Sequence, residues 1–373
     1  MTLILLLVAS LAIVLGGAEL FTNGVEWLGR RLRLSEGTVG SLLAAVGTAL
    51  PETTIPVIAI ILGRDPASHD IGIGAILGAP FMLATLAMFI TGLAAIAWRT
   101  PSGPRAAMLI DSTVMRRDLG FFLAVYAVTL LSAVLPLGRL RLIVAAALVA
   151  AYAVYVVRTV RGGQPISGEQ MGPLYLAPRS TAPALGFVAL QVAIALGLIV
   201  GGARLFITAV EGVAEALNMP AFVLSLIIAP IATELPEKFN SLLWVRRGKD
   251  TLALGNITGA MVFQGSILPA LGMAATPWRI GGLGLLSAGI ALLAAGLIYG
   301  WLYARRSLPP AVLLVGGPLY VTFLAAALQS RGQGALGFLA VPVAIAVAVA
   351  LAVVHGRRLA AARRAGRGGE ESR

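Results

Sequence analysis

Apolar residues fill the chain in long runs, and the polar positions fall between those runs instead of alternating with them. Eleven runs stand out, at residues 2–22, 37–63, 70–98, 118–137, 140–158, 183–208, 220–244, 252–276, 281–303, 309–329 and 334–355. Each is about 20 residues or longer, enough for a helix to cross a hydrocarbon core about 30 Å thick. Inside a bilayer every backbone N–H and C=O must be satisfied within the structure, which predicts helices for such runs. The pattern therefore predicts an all-α membrane protein with about eleven transmembrane helices.

Composition agrees. Of the 373 residues, 58% are hydrophobic and 12% charged, and the mean hydropathy is +0.93. A soluble domain of this size could not hide that much apolar surface, so the bilayer acts as its solvent. The 44 glycines and 20 prolines suit membrane helices better than soluble ones. Trp27, Trp98, Trp244, Trp278 and Trp301 fall at or near predicted span ends, as an interfacial aromatic belt requires. The absence of cysteine excludes disulfides, zinc–thiolate sites, iron–sulfur clusters and cysteine nucleophiles. His69 and His355 lie at span ends, which argues against a histidine metal cage. The opening run has no basic segment before it and reads as a retained first helix.

The net charge of +12 resides in short basic clusters between apolar runs. That is the signature of membrane orientation, not of nucleic-acid binding. With the N-terminus outside, 21 of the 28 basic residues fall on the inner side and five outside, with Arg204 and Lys238 in or near the membrane. The expected setting is a prokaryotic plasma membrane, with the N-terminus out and the C-terminus cytoplasmic.

A polar, Gly- and Pro-rich stretch at 159–182 separates two related halves. Residues 17–52 align without a gap to residues 202–237, with 12 of 36 positions identical. Farther on, "GIGAILGAPF" (72–81) matches "ALGNITGAMV" (253–262). Glu52 falls in the second span and Glu237 in the seventh, so the two copies cross the membrane in opposite directions. Inverted-topology repeats with interrupted helices are an architecture of secondary transporters. The expected organisation is a first five-helix repeat (1–158), a cytoplasmic linker (159–182), a second, inverted five-helix repeat (183–329), and an additional C-terminal helix with a basic tail (330–373).

The duplicated "GTALPE" (47–52) and "ATELPE" (232–237) place Glu52 and Glu237 near the middle of their spans. An ionisable side chain there costs roughly 2.5–3.5 kcal/mol on insertion scales and needs a partner, a proton or a cation. Pro51 and Pro236 donate no backbone hydrogen bond, which predicts broken helices with free carbonyls near Thr48 and Thr233. Two carboxylates with such carbonyls form the oxygen-rich ligand set that hard cations such as Ca²⁺ prefer.

The two hexapeptides, each followed by a second glycine-bearing span, resemble the two alpha-repeats of the cation/calcium exchanger superfamily, which contains sodium/calcium and proton/calcium antiporters. "GAELFTNGVEWLGRRLRLSE" is similar to the family's first helix and loop, and the resemblance covers residues 17–97 and 202–276. It implies that Glu52, Glu237, Thr48 and Thr233 bind the transported metal cation, with no organic cofactor.

The chain departs from the family pattern at positions that carry serine, Asn or Asp elsewhere. Those serines are Ala49, Glu234, Ala79 and Ala260 here, and the final Asn and Asp are Leu83 and Gln264. Lost hydroxyls weigh against a multi-sodium site, and Gln264 resembles the amide of proton-coupled members. Two neighbouring buried carboxylates resist joint ionisation, so one Ca²⁺ could exchange directly against protons. Lys238 either neutralises Glu234 or stands in for a monovalent cation. Asn256, Gln264 and Asn240 fit a pathway lining or helix–helix hydrogen bonds equally well.

The reading that best fits these features is a cation antiporter exporting Ca²⁺ in exchange for Na⁺ or H⁺. Two alternatives stay open: a non-transporting ion sensor or scaffold, and a membrane-embedded enzyme using the paired glutamates. The enzyme lacks an Asp/His/Lys constellation and any phosphate-binding loop.

Overall fold

A computed structural model describes residues 2–31, 50–63, 66–98, 105–162, 172–180, 182–329 and 334–370. These residues are helical and connected by turns, with no strand among them. Nine helical stretches among them are long and apolar enough to cross a membrane. The other two predicted spans are represented by shorter apolar helices. Leu50–Ile61 is one, since residues 32–49 lie outside the described set. The second is Ala221–Arg246, whose apolar part is Ala221–Ile231, ahead of the charges at 234, 237 and 238.

Contacts divide the chain into two compact units, and each unit draws on both halves of the sequence. The first contains residues 1–75 and 149–233. Its frame is α1 (Thr2–Arg31) packed along α7 (Leu185–Ala216), the two copies of the duplicated helix. Gly17 and Gly202, identical positions of the duplication, each meet the other helix. A Cβ at Gly17 would lie 2.9 Å from Ile199 Cγ1, and one at Gly202 would lie 2.9 Å from Val14 Cγ2. Lacking a side chain at both points, the two backbones approach closely, as small residues permit in membrane helix pairs. Against this pair lie α2 (Leu50–Ile61), the first half of α3 (Pro66–Met82) and the first half of α8 (Ala221–Arg246). Ile55, Ile71, Phe206, Val210 and Leu224 form their shared apolar core.

Part of the interhalf linker belongs to this unit. The Trp27 indole donates to Gly172 O at 3.1 Å. Gln191 Nε2 donates to Leu20 O and to Asn23 Oδ1, both at 2.9 Å, while its Oε1 accepts from Leu176 N at 3.0 Å. Residues 172–180 are thus bonded to both α1 and α7.

The second unit contains residues 76–148 and 234–373. Here α3 continues through a π-helical turn, Leu83–Ala87, into α4 (Met88–Ala97). The next helix, α5 (Ser112–Val134), starts six residues before the predicted 118. Its start is fixed by Asp111, an N-cap whose carboxylate accepts from Thr113 N at 2.9 Å and Val114 N at 3.2 Å. Its end precedes Pro136, as the restriction on a residue before proline requires.

The remaining helices are α6 (Leu140–Gly162), whose first turns belong here, α9 (Asp250–Gln264), α10 (Ile267–Ala275), α11 (Gly282–Arg305), α12 (Pro310–Leu313), α13 (Gly316–Gln329) and α14 (Gly334–Glu370). Helix α5 packs on α9 and α11, and α13 packs on α11 and α14.

Three expectations change. Helix α8 runs without a break through Pro230 and Pro236, although a break was predicted at Pro236. Membrane helices tolerate proline where neighbouring groups satisfy the freed carbonyls. The interruptions fall instead at the π turn, between α9 and α10, and between α12 and α13. Second, Trp27 and Trp278 are buried in protein, so they are packing residues and not members of an interfacial belt. Third, Arg105, counted only among the basic residues of the inner side, is buried and ion-paired to the buried Asp250.

Candidate functional site

Of the carboxylates singled out in the sequence, Glu52 lies in the first unit, in the first turn of α2, and is 6% exposed. Thr233, in α8 of the same unit, is buried and turns its hydroxyl back onto Ala229 O at 3.0 Å. Thr48 lies outside the described residues. Glu237, Lys238 and Asn240 belong to α8, and their side chains lie outside the described set. Because α8 is continuous, residues 234 and 238 stand one helical turn apart on its backbone.

Earlier along α8, two to three turns before Thr233, α3 meets that helix backbone to backbone. Ser225 Oγ donates to Ile71 O at 2.8 Å, and a Cβ at Gly74 would sit 2.5 Å from Phe222 O. The small residues of "IGIGAILGAP" thus allow close packing beside the motif helix.

In the second unit the fold brings together residues that the sequence left separate. The Gln264 side-chain amide donates to the Glu234 carboxylate, with Glu234 1% and Gln264 2% exposed. Two turns away, Asn256 Nδ2 donates to Ser241 Oγ at 3.3 Å. These contacts run antiparallel, 264 to 234 and 256 to 241, so α9 lies alongside the end of α8. A buried carboxylate receiving an amide N–H keeps its charge at lower cost than one left in an apolar setting. Gln264 and its aligned counterpart Leu83 both fall at helix irregularities: Gln264 ends α9, and Leu83 begins the π turn. Oxygen atoms held at interrupted membrane helices are the ligands from which midplane cation sites are built.

A family model described as "Sodium/calcium exchanger protein" matches residues 2–161 and 187–331. The chain belongs to the sodium/calcium exchanger protein family. That makes it a transporter in an integral membrane setting and not an enzyme. Its relatives include the inner membrane protein YrbG of Escherichia coli (strain K12), 27% identical over 332 residues, which span 86% of this chain and 95% of YrbG. The fold matches the crystal structure of the H⁺/Ca²⁺ exchanger CAX with a TM-score of 0.64 at 13% identity, covering 97% of this chain and 90% of that one. It also matches the sodium–calcium exchanger NCX_Mj with a TM-score of 0.52 at 19% identity, covering 87% of this chain and 98% of that one.

The polar groups that sequence reasoning missed lie in the segment before α5 and along α5, α9 and α14. Arg105 reaches both Asp250 and Val245 O, Asp250 Oδ2 accepts from Leu109 N at 2.8 Å, and His355 Nε2 bonds Arg105 O at 2.8 Å. Asp118 and Thr258 meet at 3.1 Å inside the same unit. An acidic residue at the predicted start of an apolar run, as at 118 and next to 252, was the available signal.

Proposed function

We propose that this exchanger is a secondary active antiporter that moves Ca²⁺ across the membrane against H⁺ or Na⁺ by alternating access, with Glu52 and Glu237 as the central carboxylates. The two inverted repeats supply one glutamate each, and Thr48 and Thr233 add backbone carbonyl oxygens. The arginine distribution supports an orientation with the N-terminus outside and the basic C-terminus in the cytoplasm. The observation that carries the reading is a buried carboxylate, Glu52, in an apolar helix whose motif recurs around Glu237.

Protons fit the counter-ion better than sodium. Na⁺ needs several neutral oxygens, yet Ala79 places a buried methyl where the family carries a hydroxyl. At the second copy, the Gln264 amide is directed at Glu234, so a carboxylate and an amide replace the family's serine and acid. Exchange of one Ca²⁺ for protons on adjacent carboxylates needs no additional hydroxyl.

The test is Ca²⁺ uptake into proteoliposomes containing the purified protein, driven in turn by a pH gradient and a Na⁺ gradient. The expected result is uptake with the pH gradient exceeding that with Na⁺. Absence of uptake under both gradients refutes the antiporter reading.

A further inference from the structure

The break between α9 and α10 places Gln264 at a helix end, where position along the axis is easily lost. Helix α5 spans that break from one side to the other. Two turns into it, Asp118, 3% exposed, accepts from Thr258 Oγ1 of α9 at 3.1 Å and from Arg117 Nη2 at 2.9 Å. One turn on, Phe122 lies against Gly265, where a Cβ would be 2.8 Å from Phe122 Cδ2. Farther along, Thr129 Oγ1 reaches Gly265 O at 3.5 Å, and Ser132 Oγ contacts Met273 Sδ of α10 at 3.7 Å. Residues 118, 122, 129 and 132 share one face of α5, at spacings close to whole helical turns.

We propose that Asp118 is a positioning residue of the ion site. Through Thr258 it fixes the axial position of α9, so that Gln264 at the end of α9 meets Glu234. The physical basis is the contrast between the contacts along α5. Apolar contact with Phe122 tolerates sliding, whereas a charged carboxylate bonded to a buried hydroxyl has a narrow optimum in distance and direction. The pair at 118 and 258 therefore sets the register, and the rest of α5 acts as a splint across the break. The functional consequence rests on the reading that Glu234 and Gln264 belong to the ion site.

Two measurements on the full-length, membrane-reconstituted chain test this. The first is geometric and independent of transport, and uses the absence of native cysteine. Glu234→Cys and Gln264→Cys are introduced together and joined with a short bifunctional thiol reagent. Efficient joining is expected in the otherwise native background and with Asp118→Asn, which still offers Thr258 an acceptor. Thr258→Val and Asp118→Ala should reduce the yield several-fold. Unchanged yield in both variants overturns the positioning role, whatever happens to transport.

The second measurement is a double-mutant cycle in the half-saturating Ca²⁺ concentration for flux. Thr258→Val alone should raise it about tenfold, the scale of losing a hydrogen bond to a charged group. In a Gln264→Ala background the same change should add little. Multiplicative effects would overturn the link from Asp118 to Gln264. Lack of flux in the native chain would refute the antiporter reading alone, and the cross-linking yield would still decide the positioning role.

Discussion

The Gln264 amide donates to the Glu234 carboxylate, joining the end of α9 to the motif helix α8 inside one compact unit. Both side chains are buried, so the amide and the carboxylate meet away from solvent. Gln264→Leu removes the donor from a buried carboxylate, a loss of about 1.5–3 kcal/mol for a hydrogen bond to a charged group. Ca²⁺ flux should fall by about tenfold or more, as measured in proteoliposomes. Returning hydroxyls with Ala79→Ser and Glu234→Ser together should raise Na⁺-driven relative to H⁺-driven flux in the same assay.

Glu52→Gln and Glu237→Gln should each abolish Ca²⁺ flux while leaving the protein folded, because glutamine keeps the shape and removes the charge. The size-exclusion profile and melting temperature should match those of the native chain. Flux that survives Glu52→Gln would remove Glu52 from the site.

Arg105 and Asp250 form a buried ion pair that ties the segment before α5 to the start of α9. Arg105→Ala leaves Asp250 as an uncompensated buried charge and should destabilise by about 3–5 kcal/mol. The double replacement Arg105→Met with Asp250→Leu should recover much of that loss, since an apolar pair escapes the desolvation cost. Thermal unfolding in detergent compares the three proteins. The same comparison bears on α14, whose His355 holds Arg105 O.

Gly74 and Gly255 are equivalent positions of the duplication with opposite tolerances. A Cβ at Gly74 would collide with Phe222 O at 2.5 Å, whereas one at Gly255 has nothing within 4 Å. Gly74→Ala should cost about 1–3 kcal/mol through overpacking. Gly255→Ala should be neutral or slightly stabilising, since alanine is the better helix former. Melting temperatures of the two variants provide the check.

Gln191 serves three partners at once, and its loss leaves Leu176 N and Leu20 O without their side-chain contacts. Gln191→Leu should destabilise by about 1–3 kcal/mol. It should also speed cleavage at Arg179, readable by limited trypsin digestion.

Much of the architecture was legible because transfer into a bilayer is a local property, summed residue by residue along the chain. Runs of apolar residues located the spans, and arginine clusters supplied the expected orientation. The duplication was equally legible, since Gly17, Glu52 and their copies at 202 and 237 keep their spacing. Even the departures at 234 and 264 could be read as unusual. Their pairing was not, because residues on two helices meet only when rotation, depth and packing of both are fixed.

The same reason explains the other misses. Arg105 and Asp250 lie 145 positions apart and look like ordinary inner-loop charges until burial makes them partners. Pro236 predicts a break from its own chemistry, whereas its surroundings decide whether the helix continues. Gly74 and Gly255 are indistinguishable as letters, and the backbone of α8 at Phe222 and Leu226 separates them. The membrane setting, the spans and the repeated glutamate motif were legible in the amino-acid order, since hydropathy and spacing act along the chain. Tertiary structure alone decided which buried polar groups face each other. That choice depends on side-chain geometry across helices, which hydropathy does not encode.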